Sequence, residues 1–263
     1  MYLQKIINSK RVAVEKSMQK TPLKILKDEA EDSPAPLDFK KALREKSGRA
    51  LIAEIKRASP SRGLIYDEKN PESRGRLYEQ AGTAAISVLT EEDYFKGSLE
   101  DLRRVKDSVS IPVLRKDFII DPYQIYESRV HGADAILLIA SVLDENQLAL
   151  FMGKAREMGL CPLVEVHTAE ELEIVLKIGA DVVGINNRNL NTFQTDIGIT
   201  LELAREVPRH VLLVSESGIK SREEILRLHR GGVDAFLIGE TLMKHPSPVD
   251  KIKELLGEDH GKN

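Results

Sequence analysis

The sequence predicts one closed α/β barrel, a (β/α)8 TIM barrel with an N-terminal helical extension, and three observations lead there. First, four segments open alike: Gly82-Thr83-Ala84-Ala85-Ile86, Gly132-Ala133-Asp134-Ala135-Ile136, Gly179-Ala180-Asp181-Val182-Val183 and Gly232-Val233-Asp234-Ala235-Phe236, with leading glycines 50, 47 and 53 residues apart. Each glycine suits a helix end that needs positive φ, and each following run is continuously apolar, as in a parallel strand covered on both faces. Second, four further apolar runs lie between these, at Ala50 to Lys56, Ile111 to Asp117, Leu160 to Val166 and Val211 to Ser215, giving eight strand–helix units at a period of about 25 residues. Third, 263 residues is the length of one such barrel, and the Gly-x-Gly-x-x-Gly turn of an open dinucleotide-binding sheet is missing after the first strand.

The elements follow in order. Tyr2, Leu3, Ile6, Ile7, Val12 and Val14 have the spacing of an amphipathic helix. A polar segment with Pro34 and Pro36 comes next, then a second helix from about Asp38. Residues 1–47 are too few for a core of their own, so residues 1–263 read as one barrel domain with 1–47 packed on it as an extension. Between the strands, helical patterns run from Asp144 to Met158, Thr168 to Lys177 and Ser221 to Arg230. Thr168-Ala169-Glu170-Glu171 and Ser221-Arg222-Glu223-Glu224 have the form of capping boxes.

Composition narrows the function classes. The chain is 41% hydrophobic and 31% charged, with a net charge of -3, interspersed signs and no Trp. Without a basic stripe or aromatic platform, no nucleic-acid partner is expected. The longest apolar run, Ala135 to Ala140, is far below the ~20 residues of a membrane span, and the first residues lack a signal-peptide core, so no membrane partner is expected and the location reads as cytoplasmic. The single cysteine, Cys161, has apolar flanks and reads as a core residue of a reducing compartment.

Chemistry gathers at the C-terminal ends of the strands. Strand side chains alternate with period two, so Glu54 and Lys56 share one face at the end of an otherwise apolar strand. Buried charges are costly unless paired or used. The third strand adds Lys116, the fifth Glu165, the sixth Asn186 and Arg188, the seventh Glu216 and Ser217. Plainer readings stand beside each. Glu54 could be an interior layer residue paired with a lysine, Lys116 could pair with Asp117, Asn186 and Asn187 could be turn residues, and Arg188 an exposed loop charge. His131, His210 and His229 read as loop or helix-end residues, no histidine lies in a metal spacing, and two lysines in one mouth would repel a divalent ion, so no metal is expected. Ser217-Gly218 and Gly239, after the last two strands, have the placement of a barrel phosphate site.

The run Ala53-Glu54-Ile55-Lys56-Arg57-Ala58-Ser59-Pro60-Ser61 resembles the signature of the indole-3-glycerol-phosphate synthase family of the tryptophan pathway. Five further blocks agree in order: Val113-Leu114-Arg115-Lys116-Asp117-Phe118, Leu163-Val164-Glu165-Val166, Gly184-Ile185-Asn186-Asn187-Arg188-Asn189-Leu190, Ser215-Glu216-Ser217-Gly218-Ile219 and Phe236-Leu237-Ile238-Gly239. The resemblance implies ring closure, decarboxylation and dehydration of 1-(2-carboxyphenylamino)-1-deoxyribulose 5-phosphate to indole-3-glycerol phosphate, CO2 and water, with neither metal nor organic cofactor. It implies Lys116 as the acid of ring closure, either Lys56 or Lys116 as the acid of dehydration, Glu165 as base with Glu54 beside it, Lys56 on the anionic substrate, and Asn186 and Glu216 as orienting groups. Ser59, Phe118, Leu137 and Arg188 fall to substrate binding, with Phe118 and Leu137 flanking the aromatic ring and Ser217, Gly218 and Gly239 on the phosphate. Some members carry Ser where this chain has Glu240, whose carboxylate is expected to turn away from the phosphate. The loop Arg57 to Tyr66 is expected to act as a lid. A monomer is expected.

Two other readings remain open on sequence. A sugar-phosphate isomerase on the same barrel, such as phosphoribosylanthranilate isomerase, would share the phosphate site but need only one acid–base pair. A non-catalytic barrel would need none of Glu54, Lys56, Lys116 and Glu165.

Overall fold

The computed structural model describes residues 2–46, 49–60, 63–66, 69–189 and 192–257. The extension forms α1 (Tyr2–Lys20), α2 (Leu23–Asp32) and α3 (Phe39–Arg44). The barrel strands are β1 (Ala50–Ile55), β4 (Ala85–Leu89), β5 (Val113–Lys116), β6 (Ala135–Ile139), β7 (Cys161–Val166), β8 (Val182–Asn186), β9 (Leu212–Glu216) and β10 (Ala235–Ile238). A two-stranded antiparallel hairpin, β2 (Ala58–Ser59) with β3 (Gly63–Leu64), follows β1. The eight long strands are parallel and close in the order β1-β10-β9-β8-β7-β6-β5-β4. All eight expected strands are present, and the four between the Gly-led segments begin and end within two residues of the expected positions. The four leading glycines hold positive φ, from 78° to 100°, where each helix turns into its strand.

Period-two alternation sorts every strand into an inner and an outer row. In β1, Ala50 and Ile52 join the barrel interior with Leu114, Leu137, Leu163, Val214 and Leu237. Leu51, Ala53 and Ile55 face the helices, in one layer with Ile86, Val164, Val183 and Phe236. The interior row of β1 therefore continues into Glu54, that of β7 into Glu165, and that of β9 into Glu216. α3, capped by Asp38 whose carboxylate accepts from the Lys41 N–H at 2.8 Å, plugs the interior with Phe39 and Leu43, both fully buried.

The remaining helices are α4 (Pro71–Gln80), α5 (Leu99–Lys106), α6 (Tyr123–Val130), α7 (Glu145–Glu157), α8 (Ala169–Lys177), α9 (Gly198–Leu203), α10 (Arg222–Arg230), α11 (Glu240–Met243) and α12 (Pro248–Leu256). Ser221 and Glu224 close the expected capping box of α10. The box at Thr168 closes only halfway: the Thr168 hydroxyl accepts from the Glu171 N–H, but Glu171 Oε2 accepts from the His167 N–H at 2.6 Å, one residue before the cap.

α2 lies in the polar stretch before Pro34, where no helix is expected, and buries only Leu26 and Ala30. α1 reaches the barrel through a buried charge: Lys10 Nζ lies 2.7 Å from Asp117 Oδ1, and Asp117 Oδ2 lies 3.0 Å from Arg115. Arg115 in turn meets Glu127 at 2.9 Å and Ser128 Oγ at 3.0 Å on α6.

Candidate active site

A cavity of about 750 Å³ opens at the C-terminal ends of the strands. On its floor, Lys116 Nζ is 2.9 Å from Glu165 Oε2 and 3.2 Å from Glu216 Oε2. Lys56 pairs with Glu54, and both face the same cavity. Asn186 stands beside Glu165, where it favours the carboxylate, and accepts the Arg188 N–H on its Oδ1 at 3.0 Å. Glu54, Glu165, Asn186 and Glu216 are buried, and the two lysines are nearly so.

Two glycines make room for these carboxylates. A Cβ at Gly184 would lie 2.2 Å from Glu216 Oε1, and one at Gly239 2.2 Å from Glu54 Oε1. Any larger side chain would push the acidic groups out of the mouth.

Burial and mutual charge set the ionisation. Burial would lower the Lys116 ammonium, but Glu165, Glu216 and Glu54 outweigh it and the pKa is raised, so Lys116 rests protonated. Burial pushes Glu165 up, yet Lys116 and His167 overcome this and hold it down to about 2. Burial also raises Glu216, where Lys116 compensates less and Glu165 repels, leaving it at about 7. Three carboxylates thus share one floor with two ammonium groups, and Glu216 is the one left under-compensated.

The cavity has an apolar and a polar end. Phe118 and Leu137 line it, with Phe95 against Phe118 at 6.2 Å between ring centroids. Opposite, Ser217 and Gly218 both hold positive φ, 67° and 80°, which turns the chain sharply after β9. Asn187 fixes this turn. Its Nδ2 donates to the Ser217 carbonyl and to Ser215 Oγ, both at 3.0 Å, while Oδ1 accepts from Thr200. Asn187 is therefore a fully buried brace rather than a turn residue.

Two further plainer readings are corrected. Lys116 does not pair with Asp117, because alternation sends Asp117 to the opposite face of the sheet, where Lys10 and Arg115 hold it. Arg188 is half-buried and lies 3.4 Å from Glu240, with Nη1 donating to the Phe193 carbonyl. Glu240 also pairs with Lys244 at 2.6 Å, so its charge is neutralised by two cations beside the polar end of the cavity. Ser59 lines the cavity from the β2–β3 hairpin. That hairpin occupies the expected lid, whose Ser61 and Arg62 lie outside the described residues, as does Leu190 of the sixth-strand block. The near end of the loop is tied down, with Arg57 paired to Asp101 and Ala58 N donating to the Phe95 carbonyl.

Sequence reasoning passed over two groups here. Tyr2 lines the cavity from α1, packing edge-on against Phe193 at 5.6 Å. His167, one step past β7, lies 3.4 Å from Glu165. The spacing Glu165-x-His167 on one strand face was the available signal for the second.

The indole-3-glycerol phosphate synthase family model matches residues 3–255. The chain belongs to that family. It is 50% identical to the indole-3-glycerol phosphate synthase of Aquifex aeolicus over 89% of this chain and 91% of that one. It is 48% identical to that of Endomicrobium trichonymphae over 97% and 99%. Among solved structures, a thiamine phosphate pyrophosphorylase from Pyrococcus furiosus shares the fold, with a TM-score of 0.60 at 15% identity over 81% of this chain and 98% of that one. As an indole-3-glycerol phosphate synthase family member the chain is a carboxy-lyase of tryptophan biosynthesis acting on a phosphorylated small molecule. Family membership leaves the isomerase and non-catalytic readings without support. Cys161 is free and its thiol is pushed by burial up to about 12. No helix among the described residues is long and apolar enough to cross a membrane.

Proposed function

We propose that Lys116 is the acid and Glu165 the base of the synthase reaction on 1-(2-carboxyphenylamino)-1-deoxyribulose 5-phosphate. The observation that carries this is the Lys116–Glu165–Glu216 contact on the cavity floor, between an apolar wall and a tight glycine turn. The phosphate would sit on the Ser217–Gly218 and Gly239 backbone, with Arg188 and Ser59 on the substrate beside it, and the aromatic ring against Phe118 and Leu137.

The resting charges suit the sequence of steps. Ring closure needs a proton on the ketone oxygen as the ring carbon attacks, and Lys116 rests protonated. Decarboxylation releases the carboxylate carbon as CO2 and returns its bonding pair to the ring; Lys56 would pair with that carboxylate beforehand. Dehydration needs a proton on the departing hydroxyl and a base for the proton lost, and Glu165 rests as a carboxylate. The two roles are linked. When Lys116 gives up its proton, the cation that held Glu165 low is gone, and Glu165 becomes the stronger base. Glu216 and Asn186 would orient Lys116 and Glu165, and Glu54 would hold Lys56. The free thiol, its reactivity suppressed by burial, supports a reducing compartment such as the cytoplasm.

The test mixes the chain with the substrate in EDTA and follows indole fluorescence. A rise in wild type that is lost in Lys116→Ala, with substrate still bound, supports the assignment. A rise unchanged in that variant would sink it.

A further inference from the structure

We infer that His167 is a positioning residue for Glu165: as an imidazolium it takes the carboxylate oxygen that Lys116 leaves free and holds Glu165 in place while Lys116 turns to the substrate. This rests on Glu165 being the base, as proposed above.

The geometry is that of one ring between two carboxylates. His167 Nε2 lies 3.4 Å from Glu165 Oε1, and Nδ1 lies 3.5 Å from Glu171 Oε2. Lys116 holds the other Glu165 oxygen, Oε2. Both ring nitrogens are shielded from solvent and neither makes a hydrogen bond, so the two carboxylates approach the ring as charge partners at ion-pair distance. A neutral imidazole donates from one nitrogen only and would turn a lone pair on the other carboxylate. The imidazolium alone meets both. Glu171 has little freedom to move away, because its Oε2 accepts the His167 N–H at 2.6 Å and its own N–H is held by Thr168. The half-closed capping box of α8 is what places that carboxylate beside the ring.

The carboxylates facing the ring all act in one direction. Burial opposes protonation, but Glu171 on α8, Glu165 on β7 and Glu216 on β9 raise the His167 pKa. The cation of the cavity floor, Lys116, stands on the far side of Glu165. The consequence for the reaction is mechanical. Proton transfer from Lys116 removes the charge that pairs with Glu165 Oε2, and the contacts of Oε1 with His167 and of the carboxylate with Asn186 then fix the base against the substrate.

The test compares single-turnover rates of indole formation for wild type, His167→Gln and His167→Phe between about pH 6 and 9, where an imidazolium titrates. Glu216, at about 7, titrates in the same window in all three proteins; beyond that shared change, wild type is expected to slow as pH rises through the raised His167 pKa, on a limb that both variants lack. Near neutrality His167→Phe is expected to be about tenfold slower, with substrate affinity within about twofold. His167→Gln keeps a donor toward Glu165 and is expected to recover most of the rate without recovering the limb. A wild-type profile that matches both variants over the whole range overturns the inference, as does an affinity loss that accounts for the rate loss. If His167→Phe fails to fold, the limb of His167→Gln decides. Glu165→Gln is measured alongside. An active Glu165→Gln refutes the base assignment itself; an inactive one beside unchanged His167 variants refutes only the positioning role.

Discussion

Lys116 Nζ stands 2.9 Å from Glu165 Oε2, so the group proposed to give a proton and the group proposed to take one rest in direct contact. Lys116→Met should therefore do two things. The rate should fall by about 10²- to 10⁴-fold, the range of general acid–base contributions. The Glu165 carboxyl should also rise from about 2, because its main counter-charge is gone. Carboxyl infrared bands followed against pH check the second point, and an unmoved Glu165 titration would contradict it.

Glu216 trades stability for chemistry. Its folded pKa of about 7 lies above the ordinary carboxyl value of 4.5. Between those values the folded chain keeps a proton that the unfolded chain has lost. Its contribution is fully present below the unfolded value and is lost as pH rises through 7. Glu216→Gln removes that loss. It should be more stable than wild type by about 3 kcal/mol at pH 8, since each tenfold change in proton affinity corresponds to about 1.4 kcal/mol, with much less difference near pH 5. Urea unfolding at both pH values measures it. The same variant should be slower, since Lys116 loses an anchor.

Gly184→Ala should damage turnover without touching phosphate binding. The added methyl would fall 2.2 Å from Glu216 Oε1 and 3.3 Å from Leu163, so the carboxylate must move. A shift of about 1 Å in an orienting group can cost about 10²-fold in rate. Inorganic phosphate is expected to inhibit wild type and variant alike, and a loss of phosphate inhibition confined to the variant would contradict this account.

Lys10→Met should loosen α1 more than its single contact suggests. The buried Asp117 carboxylate would retain Arg115 but lose its nearer cation. Truncating one partner of a buried pair typically costs about 3–5 kcal/mol. Burial raises the Asp117 carboxyl while Lys10 and Arg115 together hold it low. An Asp117 pKa nearer its unfolded value leaves less stability to lose as pH falls, so the deficit of the variant should be largest near neutrality and narrow on acidification. Amide exchange over Tyr2–Lys20 should quicken, and Lys10→Met with Asp117→Asn should cost less than the sum of the two.

Much of the barrel and its mouth could be read from the chain because both depend on local pattern. The Gly-led apolar runs marked the strands, and period-two spacing carried Glu54, Lys56, Glu165 and Glu216 to one rim. What escaped depends on contacts distant in sequence. Asp117 looks like a partner for its neighbour Lys116 until α1 brings Lys10 to it from over a hundred residues away. Asn187 looks like a turn residue until Thr200 and Ser215 close around it. α2 buries only Leu26 and Ala30, too weak a stripe to announce a helix. His167 gave no metal spacing, and its significance lies in two carboxylates, one of them positioned by an incomplete cap.

Arg115, Lys116 and Asp117 are consecutive, yet the middle residue enters the mouth while its two neighbours join Lys10 and Glu127 behind the sheet. Sliding β5 by one position would leave the strand's pairing with β4 and β6 intact while delivering a lone Arg115 or Asp117 to the barrel interior and stranding Lys116 against α6. A slip by one residue is thus penalised twice, on both faces at once. The tripeptide works as a proofreading key for how the barrel zips shut.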